Sequence, residues 1–196
     1  MLNWDEKTFL VTGASGFVGH SLLEKLKKKN PKKIFTPSSS DSNLTKETDV
    51  DKLFKATRPD IVIHLAGKIG GIGANSAANG EFFYKNIMMG TLVLEYARLC
   101  NVNKLIGLAA GCGYPKFLEV PFKETDFWSD LPDENSIGYS MAKKMLIIQS
   151  WSYRQQYNFD STILLPANLY GPHDNFDLET SHVVPALIRK FVEAKR

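Results

Sequence analysis

Short apolar runs closed by glycine or polar turns alternate along this chain with stretches in which apolar residues recur every three or four positions. Positions 8–11 form a compact apolar run ahead of Gly13, and from 17 to 29 the apolar residues Phe17, Val18, Leu22, Leu23 and Leu26 share the spacing of one helix face. The pattern continues with a strand over 33–36, a helix over 50–56 and a buried strand over 60–66, carried by Ile61, Val62, Ile63 and Leu65, that exits through glycines. A long helix follows over 82–99, then a strand over 104–110, a helix over 136–157, a β-branched strand over 161–165 and a helix over 183–194. Between 111 and 135 the period is lost and Pro115, Pro121 and Pro132 interrupt the chain, which predicts a long loop of the kind that often carries function. Alternation of this order predicts βαβ units and hence a doubly wound α/β fold on a parallel sheet.

Composition narrows the class. The chain has 196 residues, 43% of them hydrophobic and 23% charged, which is enough for a full core and excludes intrinsic disorder. A net charge of +3 spread along the chain leaves no footprint for nucleic acid. The one dense cluster, Lys25, Lys27, Lys28, Lys29, Lys32 and Lys33, reads as the solvated C-terminal end of a helix and its loop. Cys100 and Cys112 make neither a disulfide scaffold nor a CxxC metal site, so no metal is expected and a reduced, cytoplasmic setting is. No signal-peptide pattern opens the chain, and no apolar run approaches the ~20 residues of a membrane span, so no membrane partner is expected.

The chemistry begins at Gly13, Gly16 and Gly19, spaced G-x-x-G-x-x-G between the first strand and the first helix. Glycine there permits a tight turn, close approach of backbone to a pyrophosphate, and packing of helix on strand, while the helix N-terminus offers N–H groups to the phosphates. Ser15, Phe17 and Val18 fall within the same turn. The second strand ends in Thr36-Pro37-Ser38-Ser39-Ser40 with no acidic residue at its tip, which tilts toward NADP. Asp41, a few residues on, could fill the ribose-binding role of an NAD site, and no Arg is at hand to grip a 2′-phosphate. Farther along, Tyr139 and Lys143 lie one helical turn apart on one face, where an ammonium beside a phenol favours the phenolate and lowers the tyrosine pKa toward the working range.

With these residues in view, the sequence resembles the extended short-chain dehydrogenase/reductases, and within them the GDP-L-fucose synthase group. The blocks that carry the likeness are 64–72 (HLAGKIGGI), Asn86, 112–116 (CGYPK), 166–176 (PANLYGPHDNF) and 181–190 (SHVVPALIRK). The resemblance implies 3,5-epimerisation of a GDP-4-keto-6-deoxyhexose followed by hydride transfer from NADPH to the 4-keto group. It assigns Tyr139 as proton donor to the carbonyl oxygen, Lys143 as holder of the nicotinamide ribose, and Cys112 and His182 as the epimerisation acid/base pair. It implies cofactor contacts from Asn43 and Leu44 at the adenine, from Leu65, Ala66 and Gly67 at the exit of the third strand, and from Asn86, Pro166, Asn168 and Leu169 at the nicotinamide. Asn168, His182, Arg189 and Lys190 would face the sugar nucleotide. A homodimer through a four-helix interface is also implied, for which Met88, Leu92, Leu146, Ile147 and Trp151 are candidates. The same site would serve a nucleotide-sugar 4-epimerase or dehydratase that regenerates its cofactor, or a non-catalytic dinucleotide-binding protein.

Two features depart from the group. Its catalytic hydroxyl stands two residues before the cysteine, a position held here by Ala110, and no Ser or Thr lies between Leu105 and Tyr114. Loss of one such donor costs on the order of a hundredfold or more in rate, so Cys112, Tyr114 or a bound water would have to substitute. The group also carries a C-terminal lobe over the sugar nucleotide. Residues 1–175 are expected to form the dinucleotide-binding domain, and 176–196 the start of that lobe, cut short.

Overall fold

The structure, a computed structural model, describes residues 3–178 and 180–195, without the side chains of Ile72 and Ala74. Five strands, β1 (Thr8–Thr12), β2 (Lys33–Phe35), β3 (Ile61–His64), β4 (Lys104–Leu108) and β5 (Ser161–Leu164), form one parallel sheet in the order β2-β1-β3-β4-β5. Every pairing is parallel, in registers such as Leu10 with Val62 and Val62 with Leu105. The helices are α1 (Phe17–Lys27), α2 (Glu47–Thr57), α3 (Ile72–Ala77), α4 (Asn79–Leu99), α5 (Ile137–Tyr157) and α6 (Val183–Ala194).

Both faces of the central strands are covered, which explains their unbroken apolar runs. Leu10, Val62 and Leu105 point to one side and pack with Val50, Phe54, Val93, Leu94 and Leu146 from α2, α4 and α5. Their alternates Phe9, Val11, Ile61 and Ile63 point to the other side and meet Leu26 of α1. The expected strand and helix order is thus present, with shifted ends. Polar first turns extend α2 back to Glu47 and α4 back to Asn79, where apolar spacing gives no signal, and short α3 was not foreseen because glycine and polar residues fill its surroundings.

The stretch expected to be a long loop holds three 3₁₀ turns and a bridge between Pro115 and Pro132. Lys144 ties it down. This lysine is 3% exposed, and its Nζ donates to the carbonyls of Gly113 and Phe127 at 3.2 and 2.5 Å and lies over the rings of Phe127 and Trp128. Burial drives its pKa down. Among the described residues no helix is long and apolar enough to cross a membrane.

Candidate active site

The side chains of interest gather at the C-terminal ends of β1, β3 and β4, where the strand order reverses between β1 and β3 and a crevice opens. Gly13 turns the chain there with φ of +71°, and a Cβ on it would stand 2.6 Å from the backbone nitrogen of Ala66 at the exit of β3. A Cβ on Gly19 would strike the carbonyl oxygens of Gly13 and Ala14, so this glycine sets how closely α1 lies on β1. Gly16 is the N-cap of α1, with no side-chain capping bond and no acidic residue in the first turn. An uncapped helix N-terminus framed by a turn no side chain can enter fits a dinucleotide pyrophosphate.

At the tip of β2 the expectations divide. The Asp41 carboxylate accepts from the Ser38 backbone N–H at 2.9 Å and the Ser38 hydroxyl at 2.6 Å, and these bonds hold it below the usual carboxylate range. It closes its own loop instead of standing clear as a ribose acceptor, a correction to its alternative NAD role. Asn43 likewise turns its Oδ1 onto the N–H and hydroxyl of Thr45, and the Leu44 side chain is buried in the main core. The Asn43 Oδ1 and the Leu44 side chain are thus committed to the fold.

Under the crevice, His64 at the end of β3 is buried, and its Nδ1 lies 2.7 Å from the Thr12 hydroxyl, which itself accepts from the Ala66 N–H. The Thr12 hydroxyl can donate to Nδ1 of a neutral ring that carries its proton on Nε2, and has a second lone pair to accept from Nδ1–H of the other tautomer. Burial first, then the Lys143 charge, pushes the His64 pKa down to about 3. With the folded value below the unfolded one, the stability held by the neutral ring is complete above the ordinary histidine range and is lost as pH falls toward 3. Urea unfolding is expected to show a loss of about 2 kcal/mol between pH 7 and pH 5. His64→Gln, which still accepts from Thr12, should abolish most of that slope; an unchanged slope would assign it to other groups.

Tyr139 and Lys143 stand on the first turns of α5, 8% and 6% exposed, with the Lys143 Nζ 5.9 Å from the tyrosine ring centre. Room for the ammonium comes from Gly67, whose added Cβ would lie 3.2 Å from Asn86 Oδ1 and 3.5 Å from Lys143 Nζ. Asn86 accepts from the Lys68 N–H and donates to the Lys68 and Phe82 carbonyls, so its amide fastens the β3 exit loop to α4. At the position expected to face the nicotinamide, the amide thus plays a supporting role in the fold. Burial pushes Lys143 down to about 8, opposed by Cys112. Burial first, then the nearby Cys112, raises Tyr139 above the ordinary phenol range, which corrects the expected lowering by Lys143: desolvation disfavours the phenolate in this packed site.

Cys112 follows β4 on a short 3₁₀ turn against α5, exposed, and accepts a hydrogen bond from the Ser140 hydroxyl at 3.2 Å. Desolvation nonetheless drives the thiol up. Tyr114 packs against Phe122 and Phe127, with ring centres 5.1 and 5.0 Å away, which commits it to the loop's aromatic cluster and argues against it as the substitute at Ala110. The structure thus gathers Cys112, Tyr139 and Lys143. His182 is the exposed N-cap of α6, directly after Thr180 and Ser181, whose carbonyls lie by Gly71 in the loop that leaves β3. Arg189 pairs with Glu193 at 2.7 Å and donates to the Phe176 carbonyl, while Lys190 is exposed. Ser15, Asn168 and Leu169 are exposed, with Phe17, Val18, Leu65, Ala66 and Pro166 half-buried around the crevice. Sequence reasoning missed Lys144, Thr12 and Ser140, which carry no motif of their own.

The family model described as "NAD dependent epimerase/dehydratase family" matches residues 9–196. Probable GDP-L-fucose synthase 1 of Oryza sativa subsp. japonica is 39% identical over 186 residues, which cover 94% of this chain and 57% of that protein. MlghC, a GDP-mannoheptose C4 reductase from Campylobacter jejuni solved with NADP bound, superposes with a TM-score of 0.91 at 31% identity over 100% of this chain and 57% of that one. A GDP-L-fucose synthetase from Naegleria fowleri bound to NADP gives 0.89 at 30% identity, over 99% of this chain and 60% of that one. The chain thus spans less than two thirds of the length of these relatives.

Proposed function

The chain belongs to the NAD dependent epimerase/dehydratase family, and from that premise we propose that it is the cofactor-binding and catalytic part of an NADP(H)-dependent GDP-sugar epimerase/reductase. The finer assignment is 3,5-epimerisation and 4-keto reduction of a GDP-4-keto-6-deoxyhexose. What carries it is the gathering of Cys112, Tyr139 and Lys143 beside the glycine turn, together with relatives named for GDP-sugar chemistry. Residues 1–175 form the dinucleotide domain in this reading. The exposed Val183, Leu187 and Phe191 of α6 support 176–196 as the opening of a substrate lobe.

When bound, NADPH supplies the hydride. Gly13, Gly16 and Gly19 shape the turn that takes its pyrophosphate, and the exposed Ser39 hydroxyl offers a donor near the adenosine end. Lys143 holds the ribose hydroxyls. Tyr139 donates its phenolic proton to the substrate 4-keto oxygen. Cys112 removes a proton from the carbon beside that carbonyl, and His182 returns one on the opposite face. Arg189 and Lys190 would meet the diphosphate once the Arg189–Glu193 pair opens.

A homodimer is part of the proposal, with one correction. Leu146 belongs to the core, whereas Phe83, Tyr84 and Leu99 of α4 and Ile148, Trp151 and Tyr157 of α5 are among the large apolar residues left exposed for a partner. Purified protein given GDP-4-keto-6-deoxymannose should oxidise NADPH in preference to NADH and sediment as a dimer. Binding of NADPH without turnover would overturn the reductase reading and leave a non-catalytic dinucleotide domain, and turnover without net NADPH loss would favour a 4-epimerase or dehydratase. A monomer at micromolar concentration would overturn the dimer.

A further inference from the structure

Ser140 is fully buried in α5, directly after Tyr139, and its Oγ reaches out of its own helix to a residue on another element. Serines inside helices commonly turn back onto a carbonyl one turn earlier or face solvent. Here the hydroxyl donates to Cys112 Sγ at 3.2 Å, and Ser136 lies behind it with an Oγ to Oγ separation of 3.4 Å. Ser136 can also donate to the Asp133 carbonyl, so Ser140 has one acceptor ahead of it and one hydroxyl behind. Burying a hydroxyl in a helix core is unfavourable unless a partner compensates, and the partner is the sulfur.

We propose that Ser140 is a positioning residue for Cys112: its O–H aims the sulfur at the substrate side of the crevice and favours the ionised thiolate over the thiol. A hydrogen bond to a charged acceptor is about twice as strong as one to a neutral acceptor, so the same contact stabilises thiolate more than thiol. The titratable groups facing the sulfur are Lys143 and Tyr139, both on α5, and the lysine charge acts in the same direction as Ser140. Both oppose the burial that disfavours ionisation. The arrangement places a serine hydroxyl on the helix side of the cysteine in a chain whose strand side, from Leu105 to Tyr114, carries no Ser or Thr.

The inference rests on the role proposed above for Cys112. In that role the thiolate takes a proton from the carbon beside the 4-keto group and becomes a thiol, while the C–H electron pair moves to the carbonyl oxygen as an enolate. His182 then protonates the opposite face of the carbon, and both groups recover their starting states by exchange with water.

The test is the rate of Cys112 alkylation by iodoacetamide across a pH series, in a Cys100→Ser background so that one thiol reports. Ser140→Ala keeps the Cβ and improves helix propensity, so the fold should hold, and thermal melting checks it. The reactivity midpoint is expected to move up by about one pH unit, with labelling near neutral pH slowed about tenfold. Ser140→Thr, which retains the hydroxyl, should restore most of the wild-type profile. An unchanged midpoint in a Ser140→Ala protein that melts like wild type overturns the proposal, as does failure of Thr to restore it. Deuterium uptake at the sugar carbons in heavy water gives the second readout. Ser140→Ala should slow uptake more than it slows NADPH oxidation on already epimerised substrate. A shifted midpoint with uptake unaffected would overturn the role in epimerisation, whereas a shifted midpoint in a wild type that neither exchanges nor reduces would overturn the functional reading and leave the hydrogen bond standing.

Discussion

Tyr139→Phe is expected to lower NADPH-dependent reduction of the keto sugar by about 10²–10⁴-fold while leaving the fold and cofactor affinity near wild type. The ring is 8% exposed and packs at the start of α5, so phenylalanine fills the same space and removes only the hydroxyl. That hydroxyl is the proton donor nearest in role to the developing alkoxide, and Ala110 offers no second one. Because burial holds Tyr139 above the ordinary phenol range, it stays protonated throughout the neutral range and is set to act as an acid. Its partner sets the upper limit. Lys143 is pushed down to about 8, so the ammonium that would hold the ribose and stabilise the phenolate left as the proton departs is present below that pH and lost above it. The rate of reduction should accordingly be level near neutrality and fall as pH rises past about 8, and Lys143→Met should flatten the profile at a low rate. Steady-state NADPH oxidation across pH reads both effects. Full activity in Tyr139→Phe would transfer the acid role to another group, with Cys112 the first to examine.

The order of strands and helices was legible because central parallel strands are buried on both faces and announce themselves as runs such as Ile61-Val62-Ile63. Helix starts were less so, since Glu47 and Asn79 begin their helices with polar residues that periodicity does not count. Gly13 and Gly19 could be read from spacing alone, because close backbone approach tolerates no other residue. Side chains whose function depends on what folds over them could not. Lys143 and Lys144 are adjacent lysines in the sequence, yet one stands beside Tyr139 and the other clamps the loop carbonyls of Gly113 and Phe127. The direction of the Tyr139 shift is illegible for the same reason: spacing supplies the lysine neighbour, but only the packed site supplies the desolvation that raises the phenol. Asn86 lies in a block of the resemblance and Asp41 a few residues past the strand tip, and the structure shows each committed to backbone or loop contacts that a motif does not encode.

The glycine turn allows stability and cofactor binding to be separated by two neighbouring substitutions. Gly13→Ala must place a methyl 2.6 Å from the Ala66 nitrogen and 2.7 Å from the Leu65 carbonyl carbon, at a φ of +71° that disfavours a side chain. Neither neighbour can rotate away, since both are backbone at the exit of β3, and relief requires prising β1 from β3 where they pair through Thr12 and His64. Left-handed strain of about 1–2 kcal/mol and overpacking of about 1–3 kcal/mol then act together. The expected loss is roughly 2–5 kcal/mol, read as a lower urea midpoint with an unchanged slope. Gly16→Ala meets only the Gly13 carbonyl oxygen, at 3.3 Å, and its backbone is extended, so the fold should lose less than about 1 kcal/mol. The added methyl nonetheless sits at the uncapped N-terminus of α1, where phosphate oxygens would approach the N–H groups, and NADPH affinity should fall at least about tenfold, or 1.4 kcal/mol. Calorimetric titration of NADPH alongside urea unfolding reads the pair. If Gly16→Ala binds NADPH like wild type, the phosphates do not rest on this helix end, and if Gly13→Ala is as stable as wild type, the contact between the β1 and β3 exits is not what holds the turn.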